Sequence, residues 1–184
     1  MGLDMYLTKK TYVKQWEHKT PEEQFEVVVK KGGVTYPNIN PSKITYVEEE
    51  VMYWRKANQI HGWFVSNCQE IQADIKYYVE KEDLEKLLET CEKVLDILNK
   101  SEKKTLQVVG GWKGDEQYMV EHEVYDTSDE IMELLPPTQG FFFGSDSIDQ
   151  WYKETIEETI ITLKEELSVS TEGYSTDYEY YASW

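Results

Sequence analysis

The stretch Val47-Glu48-Glu49-Glu50-Val51-Met52-Tyr53-Trp54-Arg55-Lys56-Ala57-Asn58-Gln59-Ile60-His61-Gly62-Trp63-Phe64-Val65-Ser66-Asn67-Cys68 holds the densest aromatic run of the 184-residue chain and its sole arginine, Arg55. Val47, Val51, Trp54, Asn58, His61 and Val65 recur at three- and four-residue intervals, and Tyr53, Ala57, Ile60 and Phe64 form a second stripe beside them. Three glutamates stand where a helix dipole favours negative charge. The spacing therefore predicts one central helix over 47–68, apolar over a wide face. On such a helix Trp54, Asn58 and His61 project within about 60° of one another, Arg55 is offset by about 100° from Trp54, and Lys56 points away as a solvent charge.

Outward from this stretch, residues 82–99 place Leu84, Leu87, Leu88, Cys91, Val94, Leu95 and Leu98 on one side of an amphipathic helix. Residues 148–167 repeat the signature. Residues 105–109 and 118–124 flank Gly110-Gly111-Trp112-Lys113-Gly114-Asp115 and read as a β-hairpin with a long glycine-rich loop. Residues 129–135 suggest a short helix stopped by Pro136-Pro137. Toward the N-terminus, 3–7 and 25–29 read as strands of one small sheet, followed by a turn at Lys30-Lys31-Gly32-Gly33. The last residues, 168–184, are acidic and tyrosine-rich without helical period and read as a mobile or weakly docked tail. The expected fold class is α+β: three main helices packed on a small, mostly antiparallel sheet, formed by residues 1–167 as a single domain.

The formal net charge is −17, yet 40% hydrophobic and 14% aromatic composition supports a folded core. So acidic a chain repels nucleic acid at long range, and direct nucleic-acid binding is not expected. Two readings of the acidity remain: a solvated surface, or one that imitates nucleic acid to occupy a basic partner. Cys68 and Cys91 form no CxxC pair, no run is apolar enough for a signal peptide or a membrane span, and Met1-Gly2-Leu3-Asp4-Met5-Tyr6 lacks a myristoylation signal. A reduced cytoplasmic protein with no membrane role is expected.

Arginine grips carboxylates and phosphates with a rigid fork and stacks on rings, so its single use among aromatic residues marks a candidate site. Trp54, Arg55, Asn58 and His61 together offer a stacking surface, a guanidinium, an amide and an imidazole, the combination nucleotide ligands require. Each taken alone reads more readily as a satisfied core group or an ion-pair partner, and it is their combination that raises the ligand-site reading. The second unusual segment is Gly140-Phe141-Phe142-Phe143-Gly144-Ser145-Asp146-Ser147. Three consecutive rings cannot all face inward on a strand, so one is exposed or faces a cavity. Gly144, Ser145 and Ser147, leading into a helix near Ile148, form a candidate anion cradle, with an ordinary Ser or Asp N-cap as the other reading. The candidate ligand-binding set is Trp54, Arg55, Asn58, His61, Phe142, Phe143, Gly144, Ser145 and Tyr152. No P-loop, GxSxG, HExxH or zinc-type cysteine spacing is present, so no catalytic residue, cofactor or metal is expected. Cys68 and His61, seven residues apart on the predicted helix, stand ~10 Å apart along its axis, too far for a nucleophile–base pair.

The opening MGLDMYL, the block YWRKANQIHGWFV (53–65) and the stretch LLPPTQGFFFGSDSIDQWY (134–152) resemble a family of small bacteriophage and prophage proteins with no settled activity. Where a single proline and then serine would precede the phenylalanines, this chain has Pro136-Pro137-Thr138-Gln139, and residues 105–124 match nothing in the resemblance. The resemblance implies a phage accessory protein in the infected bacterial cell. By analogy with such proteins, it counters host defence by sequestering a nucleotide-derived immune signal. The expected partner is thus a small nucleotide-like ligand. The alternative is an acidic inhibitor of a host defence protein, and homo-oligomerisation is left open.

Overall fold

A computed structural model describes residues 2–68, 72–126, 129–170 and 175–184. In chain order the elements are β1 (Asp4–Tyr12), β2 (Lys30–Lys31), β3 (Val34–Thr35), β4 (Tyr46–Arg55), α1 (Asn58–Asn67), β5 (Lys76–Val79), α2 (Lys81–Lys100), β6 (Lys103–Lys113), β7 (Glu116–Tyr125), α3 (Asp129–Leu134), α4 (Gln150–Ser168) and β8 (Thr176–Ser183). The chain is α+β. Its main sheet has the order β4-β1-β8-β5 with every neighbouring pair antiparallel, and β2-β3 and β6-β7 form two separate two-stranded sheets.

The expected helix over 47–68 is corrected: its first half is β4, and only its second half is helical, as α1. In β4 the side chains alternate, Met52 and Trp54 into the core, Tyr53 and Arg55 out to solvent. The glutamates that resemble a helical first turn instead find lysines across the sheet, Glu49 facing Lys9 at 3.3 Å and Glu48 facing Lys76 at 2.7 Å. Long-range pairing with β1 thus overrides a local pattern that fits either structure. Strand gives way to helix at Lys56, which adopts a left-handed φ of 57° and donates its N–H to the Leu3 carbonyl at 2.6 Å. Neither Gly nor Pro marks that break.

The expected loose tail is corrected as well. Residues 171–174 lie outside the described residues, but beyond them β8 is an interior strand, paired with β1 on one side and β5 on the other. Tyr178, Tyr180 and Ala182 point into the core, and the Tyr180 ring stacks on Phe64 at 4.0 Å. Tyr178 and Tyr180 of the expected tail are core because the sheet supplies a period of two that a search for helical period passes over.

Three further expectations shift. Residues 25–29 join no sheet, since the two positions beside β1 are taken by β4 and β8. The hairpin is longer and its turn shorter: β6 and β7 run to Lys113 and Glu116 with only Gly114 and Asp115 between them, and Gly110 and Gly111 lie at a bulge within β6. Helix α4 begins at Gln150, two residues later than expected. By contrast α2 and α3 fall where their periodicity and the Pro136-Pro137 stop put them.

Leu84, Leu87, Cys91, Val94 and Leu98 of α2, and Tyr152, Ile156, Ile160 and Leu163 of α4, bury against the inner face of the sheet. The outer face is open. Across it Tyr53, Tyr6 and Tyr181 form one cross-strand row with ring centroids 5.0 and 5.9 Å apart. Among the described residues no helix is long and apolar enough to cross a membrane.

Candidate functional site

The corner where β4 turns into α1 gathers two cations and an exposed ring. Arg55 leaves the strand on its outer side and lines a groove of about 230 Å³ with Tyr53, Trp54, Ala57, Trp151, Thr155 and Glu158. Immediately beside it, Lys56 lines a second hollow of about 180 Å³ with Gly144, Ser145, Asp149 and Trp151. Trp151 belongs to both grooves and is 41% exposed. The corner therefore offers a guanidinium, an ammonium and an indole face within one contiguous surface.

Neither cation is held by a carboxylate within ion-pair distance among the described residues. Asp4 stands opposite Arg55 across the β1–β4 pair, yet its carboxylate accepts a hydrogen bond from the Tyr53 phenol, which raises the Tyr53 pKa. Among the described residues Arg55 and Lys56 make no ion pair. Asp149 is likewise engaged: one carboxylate oxygen caps α4 by accepting the Tyr152 N–H at 3.0 Å, and the other lies 3.2 Å from His122 Nε2. That cap also decides between the two readings of residues 144–147. The helix end is filled by Asp149, and the Ser145 hydroxyl accepts the Ser147 N–H at 3.1 Å, so these groups satisfy one another. Gly144 and Ser145 are the floor of the corner rather than an anion cradle of their own.

Of the remaining sequence-predicted residues, Trp54 borders the Arg55 groove from the core side, and the others are dispersed. Trp54 is 3% exposed and donates its indole N–H to Thr159 Oγ1 at 2.9 Å. Tyr152 is buried and donates to the Leu135 carbonyl at 2.6 Å. Both are core. Asn58 is buried and acts as a latch: its amide N–H groups donate to the carbonyls of Phe143 at 3.1 Å and Ser145 at 2.7 Å, while its oxygen accepts the Thr138 N–H at 2.9 Å. Phe142 accepts the Leu3 N–H with its carbonyl and meets Phe141 edge-on at 4.9 Å. The expected exposed ring of the three is Phe141, at 95% exposure.

His61 and Phe143 come together, but on a different wall. Their rings meet edge-on at 5.3 Å beneath α1, and His61 Nδ1 lies 2.9 Å from the Tyr180 hydroxyl. Burial pushes the His61 pKa down to about 4, so the imidazole is neutral at pH 7. Burial likewise pushes the Cys68 thiol up to about 11, which keeps it protonated.

Sequence reasoning missed Lys56 and Trp151. Once 46–55 is a strand, Lys56 follows Arg55 at its end instead of pointing away on a helix, and Trp151 in the first turn of α4 faces the same corner. No protein-family model, no curated protein and no solved structure matches the chain.

Proposed function

We propose that the protein binds and sequesters a small nucleotide-like anion at the corner formed by Arg55, Lys56 and Trp151. The observation that carries this reading is the pair of cations, without an ion pair among the described residues, beside an exposed indole, in a chain whose formal net charge is −17. Arg55 and Lys56 would hold phosphate oxygens through charge-assisted hydrogen bonds, and Trp151 would stack on the base. With Cys68 protonated and His61 held by Tyr180, neither is poised to attack a ligand, which favours holding over turnover. The resemblance to phage proteins makes a host immune signal the proposed cargo. Mass spectrometry of small molecules released from protein purified out of defence-active cells tests this: a nucleotide-derived anion present with the wild-type chain and missing with Arg55→Ala is expected. Equal recovery with both would overturn the assignment.

A second reading, occupation of a host defence protein, is favoured by the β6–β7 arm, whose Val109, Trp112, Tyr118 and Met119 are all exposed. Replacing the arm by a two-residue turn should abolish such a complex while leaving nucleotide binding intact. Removing residues 168–184 cannot separate the two readings, because β8 is part of the core.

A further inference from the structure

A cavity of about 610 Å³ lies beside α1 and shares no lining residue with the Arg55 corner. Its size falls in the range of small-molecule sites, about 300–1,000 Å³. One wall is aromatic: His61, Phe143 and Trp184 meet edge-to-face with centroids 5.0 to 5.7 Å apart. Glu133 is the one charged side chain among its lining residues, and no lysine or arginine lines it. Burial keeps the imidazole uncharged, so no cationic side chain in the lining repels a cation or pairs with a phosphate.

From this lining we infer that the cavity is a second binding site, selective for a monocationic organic amine carried on a flat apolar body. Aromatic rings attract a cation through the negative potential of their faces, and a carboxylate at the rim supplies the counter-charge. The strongly acidic chain adds to this by concentrating cations near its surface. The lining, with Glu133 and neither lysine nor arginine, separates this site chemically from the corner that holds Arg55 and Lys56.

The geometry of the loop that forms the far wall supports a built cavity. Gly62 brings α1 so close to Thr138 that a Cβ in its place would lie 2.2 Å from the Thr138 hydroxyl, and Asn58 ties Thr138 and Phe143 to the same helix. The aromatic wall is therefore set by packing and hydrogen bonds before any ligand arrives.

Calorimetric titration of the full chain with tryptamine, tryptophol and indole-3-acetate tests the inference, since these are cationic, neutral and anionic probes of one shape. Tryptamine is expected to bind tightest, tryptophol roughly five- to tenfold more weakly, and indole-3-acetate not measurably. Glu133→Gln should bring tryptamine down to the tryptophol level, Trp184→Ala should weaken both by about tenfold, and Arg55→Ala should change neither. Trp184→Phe, which keeps a ring, should recover most of the loss and guards against a folding defect. Equal binding of indole-3-acetate, an unchanged probe order in Glu133→Gln, or no binding of any probe would each overturn the site.

Discussion

Replacing Asn58 by alanine removes three hydrogen bonds at once, to Thr138, Phe143 and Ser145, and so releases the 138–145 loop from the start of α1. Each such bond contributes about 1 kcal/mol net, which sets an upper figure of about 3 kcal/mol. Thr138 and Phe143 are half-buried and Ser145 is exposed, so their backbone groups regain part of this from water. A loss of about 2–3 kcal/mol is expected, or roughly 5–10 °C in Tm for a chain of this size. Urea unfolding followed by circular dichroism measures it. Asn58→Asp is the sharper companion: it keeps an acceptor for Thr138 but turns a carboxylate toward two carbonyls, so it should be less stable than the alanine variant at pH 7. An Asn58→Ala midpoint within about 0.5 kcal/mol of wild type would refute the latch, since that is the scatter expected for a surface change.

Gly62→Ala should destabilise by about 1–3 kcal/mol because the new Cβ collides with Thr138 Oγ1, and Gly62→Ala/Thr138→Ala should recover this and gain toward the ~1 kcal/mol helix preference of alanine over glycine; equal effects in the single and double variants would refute the collision. A chain ending at residue 175 loses Tyr178, Tyr180 and Ala182 from the core and should be unfolded by circular dichroism at 25 °C; a cooperative melt would contradict the interior placement of β8. His61 is uncharged in the fold down to about pH 4, whereas the unfolded chain protonates it near 6.5, so stability should fall by about 1.4 kcal/mol per pH unit as pH drops through that window. His61→Gln should flatten this slope between pH 6.5 and 5.5, and an unaltered slope would assign it elsewhere.

Helices α2, α3 and α4 were legible because their information is local: a 3.6-residue apolar period, and for α3 a proline stop. Residues 46–55 and 176–183 were not, because what makes them strands is the partner each finds across the sheet. Met52 and Trp54 sit at a period of two that coexists with a three- and four-residue spacing, and the backbone pairing of 46–55 with β1 selects the strand, with Glu48 and Glu49 meeting lysines of β5 and β1 as a consequence. The candidate site inherited that ambiguity. Arg55 stood out as the sole arginine, Trp54 does border its groove, and Gly144 and Ser145 line the adjoining hollow, but His61 was joined to Arg55 by a helix that does not exist there and lies on another wall. Asn58 drew notice as a ligand-reading amide, yet its amide is consumed by the loop it holds.

The most direct measurement is a calorimetric titration of the wild-type chain, Arg55→Ala and Glu158→Gln with ADP, using adenosine as the uncharged control. Arg55→Ala should weaken ADP binding roughly 10- to 100-fold while circular dichroism stays unchanged, adenosine should bind far more weakly than ADP, and Glu158→Gln, which removes a carboxylate from the groove, should tighten ADP a few-fold. Indistinguishable ADP isotherms for the wild type and Arg55→Ala would contradict the assignment of the corner as an anion site.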